Sequence, residues 1–138
     1  VPLGIGAAIG APEKQVLAVT GDGSVELNIQ ELKTISYYQL NMKLFVINNG
    51  GYASMRNWQD TFFEGRRIGS DDDTGAEGLN LEAVAKAFDL NYVLLDNPGT
   101  LEDDLRALVR ESGPMFVEVM CNPNQSIVQP FEETEESS

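Results

Sequence analysis

Three runs of apolar, largely β-branched residues most constrain what this chain can fold into: Val16-Leu17-Ala18-Val19, Leu44-Phe45-Val46-Ile47 and Met115-Phe116-Val117-Glu118-Val119. A shorter fourth run is Tyr92-Val93-Leu94-Leu95. Nearly continuous apolar runs of this length suit strands buried on both faces, as in parallel sheets. Helical stretches lie between them. Glu26 to Leu40 places Leu27, Ile29, Leu32, Ile35 and Leu40 at helical spacing. Leu81 to Phe88 follows Asn80, a suitable N-cap. Leu101 to Glu111 carries a Leu101, Leu105, Leu108 stripe, with Thr100 and Asp103 as a capping box and Gly113-Pro114 as the stop. Alternating strand and helix predicts an α/β fold: three layers, a mainly parallel sheet flanked by helices. The domain is expected over residues 1–125, with an acidic tail at 126–138 whose last seven residues are frayed.

Composition removes whole classes of chemistry. The chain has 138 residues, no histidine and one cysteine, Cys121. Ser-His-Asp and Cys-His catalysis are excluded, as are imidazole zinc sites and an internal disulfide. Cys121 is read as an inert small hydrophobe. A formal net charge of −13 disfavours nucleic acid as a partner. No apolar run approaches a membrane span of about 18–20 residues, and no signal peptide is visible. The expected compartment is cytoplasmic. The start at Val1 reads as a piece of a longer chain or a processed product, apparently lacking an N-terminal portion of its domain.

The chemistry concentrates between Val16 and Asn49. One strand ends in Thr20-Gly21-Asp22-Gly23-Ser24, and the next ends in Asn48-Asn49-Gly50-Gly51. A helix of about 15 residues, roughly 22 Å long, would bring the second strand back beside the first. Asp22 and Asn49, 49 − 22 = 27 positions apart, then meet at the carboxyl ends of strands, where open α/β sheets bind ligands. A carboxylate, an amide oxygen and a main-chain carbonyl suit Mg²⁺ or Ca²⁺. Gly21 and Gly23 allow close backbone approach, and Ser24 with the amides after it opens a helix whose N-terminus favours phosphate. No Lys or Arg lies between Lys14 and Lys33. A diphosphate here would need a metal to balance its charge.

Gly-Asp-Gly followed after 24 residues by Asn-Asn closely resembles the thiamine-diphosphate-binding motif of enzymes such as pyruvate decarboxylase and acetolactate synthase. The resemblance runs from Leu3 to the Pro123-Asn-Gln stretch. It implies thiamine diphosphate and Mg²⁺ as cofactors. Asp22, the Asn49 side chain and the Gly51 main-chain oxygen would be the metal ligands. Gly21, Gly23 and Ser24 would bind the cofactor, and Tyr52 is grouped with them, although packing is the preferred reading of its ring. Trp58, Gln59, Asp60, Phe62 and Phe63 match the acetolactate (acetohydroxyacid) synthase pattern after Asn-Asn. The resemblance places Ser54, Met55 and Trp58 near the substrate; for Trp58, Phe62 and Phe63 the alternative is plain packing. Ala53-Ser54-Met55 stands where that family usually has Gly-Met-Val, at positions the resemblance places near the reacting carbon.

The implied activity is decarboxylation of a 2-oxo acid with carboligation, or on the same scaffold a plain decarboxylase or another carboligase. No catalytic residue is expected in this chain. The activating glutamate would come from a pyrimidine-binding domain of the same or another subunit in a homodimer or homotetramer. FAD would belong to another domain of a longer protein. The chain alone is expected not to turn over.

Other features have blander readings. Gly4-Ile-Gly6-Ala-Ala-Ile-Gly10 resembles a dinucleotide loop, yet only Val1-Pro-Leu precedes it, and a small-residue packing helix is preferred. A non-catalytic dinucleotide-binding module therefore stays as the second class of function. Gly65 to Asn80 reads as a loop, and Asp71-Asp72-Asp73 as its solvated, mobile face and not a metal site. Arg56 is read as pairing with a surface acid in preference to holding a substrate carboxylate.

Overall fold

The computed structural model describes residues 1–125; the tail at 126–138 lies outside the described residues. Four strands form one sheet: β1 (Val16–Gly21), β2 (Met42–Asn48), β3 (Asn91–Leu95) and β4 (Met115–Met120). All pairs are parallel, in the order β1-β2-β4-β3. Each expected strand is present and slightly longer than its apolar run. β2 takes in Lys43, fully buried, whose Nζ donates to the Gly113 carbonyl at 2.6 Å while burial pulls its pKa down.

Helix α1 (Pro2–Gly10) precedes β1, and α2 (Asp22–Glu26) with α3 (Leu32–Tyr37) links β1 to β2. Helices α4 (Ala53–Phe62) and α5 (Leu81–Ala87) lie between β2 and β3, and α6 (Leu101–Leu108) between β3 and β4. One face of the sheet carries the larger core. There Ile5 and Ala8 of α1, Val25 of α2, Leu32 and Ile35 of α3, and Leu81 and Ala85 of α5 pack with Met42, Leu44, Val46 and Phe116. On the other face α6 covers Phe45, Leu95, Met115 and Val117. That is the expected three-layer arrangement, with α6 on the second face. Leu17 and Val19 of β1 stay exposed there, beside a wholly apolar groove of about 420 Å³.

Of the α1 glycines Gly4 serves packing, whereas Gly6 and Gly10 are exposed and face open space. A Cβ on Gly4 would stand 2.7 Å from Met42 Cε and 3.0 Å from Ala18 Cβ, so the helix lies closer to the sheet than any larger residue permits. Gly4, Gly6 and Gly10 sit inside a helix and not in a strand-to-helix turn, so the dinucleotide loop is not formed.

Three local expectations are corrected. The single helix over Glu26–Leu40 is broken into α2, a 3-10 turn at Ile29–Glu31 and α3. Asn28 sits at the break, its side chain donating to the Ser24 carbonyl at 3.3 Å and so competing with helical continuation. The break leaves Leu27 of the supposed stripe exposed, while Val25 and Leu32 are fully buried. The Thr100–Asp103 capping box does not form. Thr100 has a helical backbone instead of the extended one a cap needs, and its Oγ1 donates to Asp104 at 2.7 Å. α6 then stops at Leu108, short of the expected Glu111. The Asn80 cap does form, accepting from the Ala83 amide at 2.9 Å.

Candidate functional site

β1 and β2 are adjacent and parallel, with Gly21 opposite Ile47, so the residues that follow them share one edge of the sheet. Asp22 is the first residue of α2 and is buried. Its Oδ1 accepts from the Gly23 amide at 2.9 Å, and its Oδ2 from the Gly51 amide at 2.7 Å. The second bond ties the ends of the two strands together across 29 positions. Gly21, Asp22, Gly23, Ser24, Asn49, Gly51, Tyr52 and Ser54, with Ala53, line one cavity of about 310 Å³. Every residue named from the sequence as cofactor-binding is therefore brought to one place. Of the three substrate-proximal residues only Ser54 lines it. Met55 and Trp58 line a neighbouring groove with Ser54, Gln59 and Phe63.

Two glycines are required by this geometry. A Cβ on Gly23 would lie 2.7 Å from the Tyr52 ring, and Gly51 has φ +97° with the Ser70 carbonyl 3.1 Å from where its Cβ would be. Tyr52 thus packs on Gly23, as its ring was expected to do, and its hydroxyl donates to Glu26 at 3.2 Å. Desolvation first, then the Glu26 and Asp22 charges, raise the pKa of that phenol.

Among the described residues no Lys or Arg forms an ion pair with Asp22, and none lines the cavity. A buried carboxylate is costly unless a cation or enough hydrogen bonds balance it. Here two backbone amides help and the charge remains, in a cleft rich in hard oxygen donors. That donor set fits a small divalent cation. The helix that Asp22 begins has only five residues and so little macrodipole, and the Gly23 N–H of its first turn is already taken by Asp22 Oδ1.

The side chains that shape the site from behind were not foreseen. Glu118, buried in β4, accepts from the Asn48 amide at 2.6 Å and from the Tyr92 hydroxyl at 2.6 Å. The Asn48 Oδ1 in turn accepts from the Gly50 amide at 3.2 Å. The one available signal was a carboxylate inside the apolar run Met115–Val119, which demands a partner without naming it. Burial, then Glu118, pushes the Tyr92 phenol far above its usual 10.0. The folded phenol therefore keeps its proton to higher pH than the unfolded one. Its contribution to stability is present below about pH 10 and lost as pH rises beyond it. Tyr92→Phe should cost about 1 kcal/mol at neutral pH and flatten that alkaline loss. Urea midpoints at about pH 8 and about pH 11 measure both effects.

Arg56 is a correction. It is only 5% exposed and, among the described residues, forms no ion pair with an acid. Its Nη1 donates to the carbonyls of Gly50 at 2.5 Å and Ser70 at 3.1 Å. Its Nη2 donates to those of Asn49 at 2.7 Å and Pro123 at 3.1 Å. Trp58, Phe62 and Phe63 are not core residues; all three are largely exposed, with Trp58 and Phe62 in mutual contact at 4.3 Å. Asp72–Thr74 form a 3-10 turn capped by Asp71, with a capping box between Asp71 and Thr74. Arg67 bridges Asp71 to a bidentate contact with Asp60; its guanidinium holds the Asp60 carboxyl below its usual pKa, and the Thr74 hydroxyl, then Arg67, does the same for Asp71. Among the described residues no cluster of three or more metal-ligating side chains occurs, and no helix is long and apolar enough to cross a membrane.

Fold and cleft together define a parallel α/β domain whose polar site lies at the carboxyl ends of two neighbouring strands. The family model "Thiamine pyrophosphate enzyme, C-terminal TPP binding domain" matches residues 1–119, and the chain belongs to that family. It is 35% identical over 128 residues to the acetolactate synthase large subunit of Lactococcus lactis, covering 93% of this chain and 22% of that protein. It is 32% identical over 126 residues to the large subunit of Porphyra purpurea, covering 91% and 21%. Against the isozyme 1 large subunit of Escherichia coli it is 30% identical over 127 residues, covering 92% and 22%. The chain thus spans about a fifth of the length of the relatives it matches.

Proposed function

We propose that this chain holds thiamine diphosphate through Mg²⁺ in the cavity between Asp22 and Gly51, as the cofactor domain of an acetolactate-synthase-like enzyme. The observation that carries the proposal is the buried Asp22 carboxylate, hydrogen-bonded to Gly51 yet lacking a cation among the described residues, in a cavity lined by Gly21, Gly23, Ser24, Asn49, Gly51 and Tyr52. Asp22, the Asn49 amide oxygen and the Gly51 carbonyl are the oxygen donors for the metal. Ser24 offers its backbone N–H group to the diphosphate, Gly23, whose own amide is held by Asp22, allows its close approach, and the Tyr52 ring walls the cavity beside Gly23. When bound, the cofactor supplies the electron sink for decarboxylating a 2-oxo acid and joining the product to a second carbonyl compound. This chain's residues bind and orient. As the family resemblance implies, the proton chemistry belongs to the cofactor and to a glutamate of a pyrimidine-binding domain in the same or another subunit. Ser54 links the cavity to the groove of Met55 and Trp58, which is the natural position for the acceptor substrate.

Calorimetry on the full chain tests the cofactor, with thiamine diphosphate plus Mg²⁺ expected to bind and NAD not. The opposite pattern would overturn the reading. Incubating the intact enzyme with pyruvate tests the reaction: acetolactate supports it, and acetaldehyde alone points to a plain decarboxylase.

A further inference from the structure

We propose that Arg56 is a positioning residue that sets the Asn49–Gly51 segment against Asp22 for metal binding. The inference rests on the cofactor reading above and names a residue that the motif does not contain. The Gly50 and Gly51 backbones both have positive φ, at +74° and +97°, so this turn belongs to neither the strand nor the helix ladder. Its backbone groups must be satisfied from elsewhere. The amides are met by Asn48 Oδ1 and Asp22 Oδ2. The carbonyls of Asn49 and Gly50 are met by Arg56.

The same guanidinium reaches two further segments. The Ser70 carbonyl accepts from Arg56 and also from the Tyr52 amide at 3.1 Å, so the loop after α4 is fastened to the turn. The Pro123 carbonyl brings in the segment after β4. Three segments therefore converge on one planar group, and one of them, the Asn49–Gly51 turn, lines the cavity. A guanidinium carries five N–H donors in a fixed fork; an ammonium carries three on a rotating point charge. Lysine would keep the charge and lose the geometry. Arg56 does not line the Asp22 cavity, so its effect on a ligand there acts through the turn.

The test uses the full chain, titrated with Mg²⁺ at saturating thiamine diphosphate, together with amide hydrogen exchange. Arg56→Lys is expected to weaken Mg²⁺ affinity by about 10–100-fold, the usual consequence of losing a residue that supports a metal ligand. Exchange should quicken at Gly51 and Tyr52 and stay unchanged at Leu44–Ile47. Unchanged affinity overturns the proposal. So does a loss of affinity matched by equal loss of protection through β2, because that is general destabilisation. If Arg56→Lys does not fold, Arg56→Gln takes its place; if neither folds, Arg56 serves the whole fold and the proposal fails. Asp22→Asn separates the two ideas. If the unsubstituted chain binds Mg²⁺, Asp22→Asn does not and Arg56→Lys binds normally, only the role of Arg56 is refuted. If the unsubstituted chain binds no Mg²⁺ with thiamine diphosphate, both ideas fall.

Discussion

Asp22→Asn is expected to weaken Mg²⁺-supported binding of thiamine diphosphate by about 100-fold or more, about 2.7 kcal/mol at 25 °C. Two losses combine. Among the described residues the carboxylate is the only charge lining the cavity, and an amide oxygen attracts a hard cation far less. Asp22 also accepts from two backbone amides, one on each oxygen. Asparagine has a single acceptor oxygen, so its NH₂ would oppose either Gly23 or Gly51. The cleanest readout is ligand-induced stabilisation. A ligand present at about 100 times its Kd adds about 2.7 kcal/mol to the unsubstituted protein and close to nothing to the variant. Equal thermal shifts in both would remove Asp22 from the site.

Phe116→Ala should cost about 3–5 kcal/mol, a large part of the total stability of an ordinary domain. Phe116 is fully buried in β4, opposite Leu44 of β2 and Tyr92 of β3. It joins the core formed by the sheet and helices α1, α2, α3 and α5. Two pleats further along the same strand face lies Glu118, which holds Asn48 and Tyr92. The variant therefore opens a cavity under the polar network that supports the Gly50 turn. Denaturant midpoints with an unchanged m value would measure the loss, and Phe116→Leu, nearer in volume, should cost much less. Equal costs for both would mean that the site collapses without leaving a cavity.

The strands, their alternation with helices and the meeting of Asp22 with Asn49 were legible in the sequence because each rests on local signals. Apolar runs fix buried strands, and a motif at a strand end stays there whatever the order of the sheet. The order β1-β2-β4-β3 was not legible, since it depends on which strands pair after long crossovers. The break at Asn28 was lost because the leucine spacing fits one helix as well as two short ones, and only burial separates Leu27 from Leu32.

The support of the site was hidden for the same reason. Arg56 reaches the carbonyl of Pro123 across 67 positions, and Glu118 reaches Asn48 across 70. Nothing in the sequence around Arg56 distinguishes an arginine that faces a surface acid from one buried among carbonyls. Residue types and strand ends, read from the sequence alone, determined which chemistry this chain can host. Long-range hydrogen bonds and burial, which exist only once the sheet has assembled, decided how the loops that host it are held.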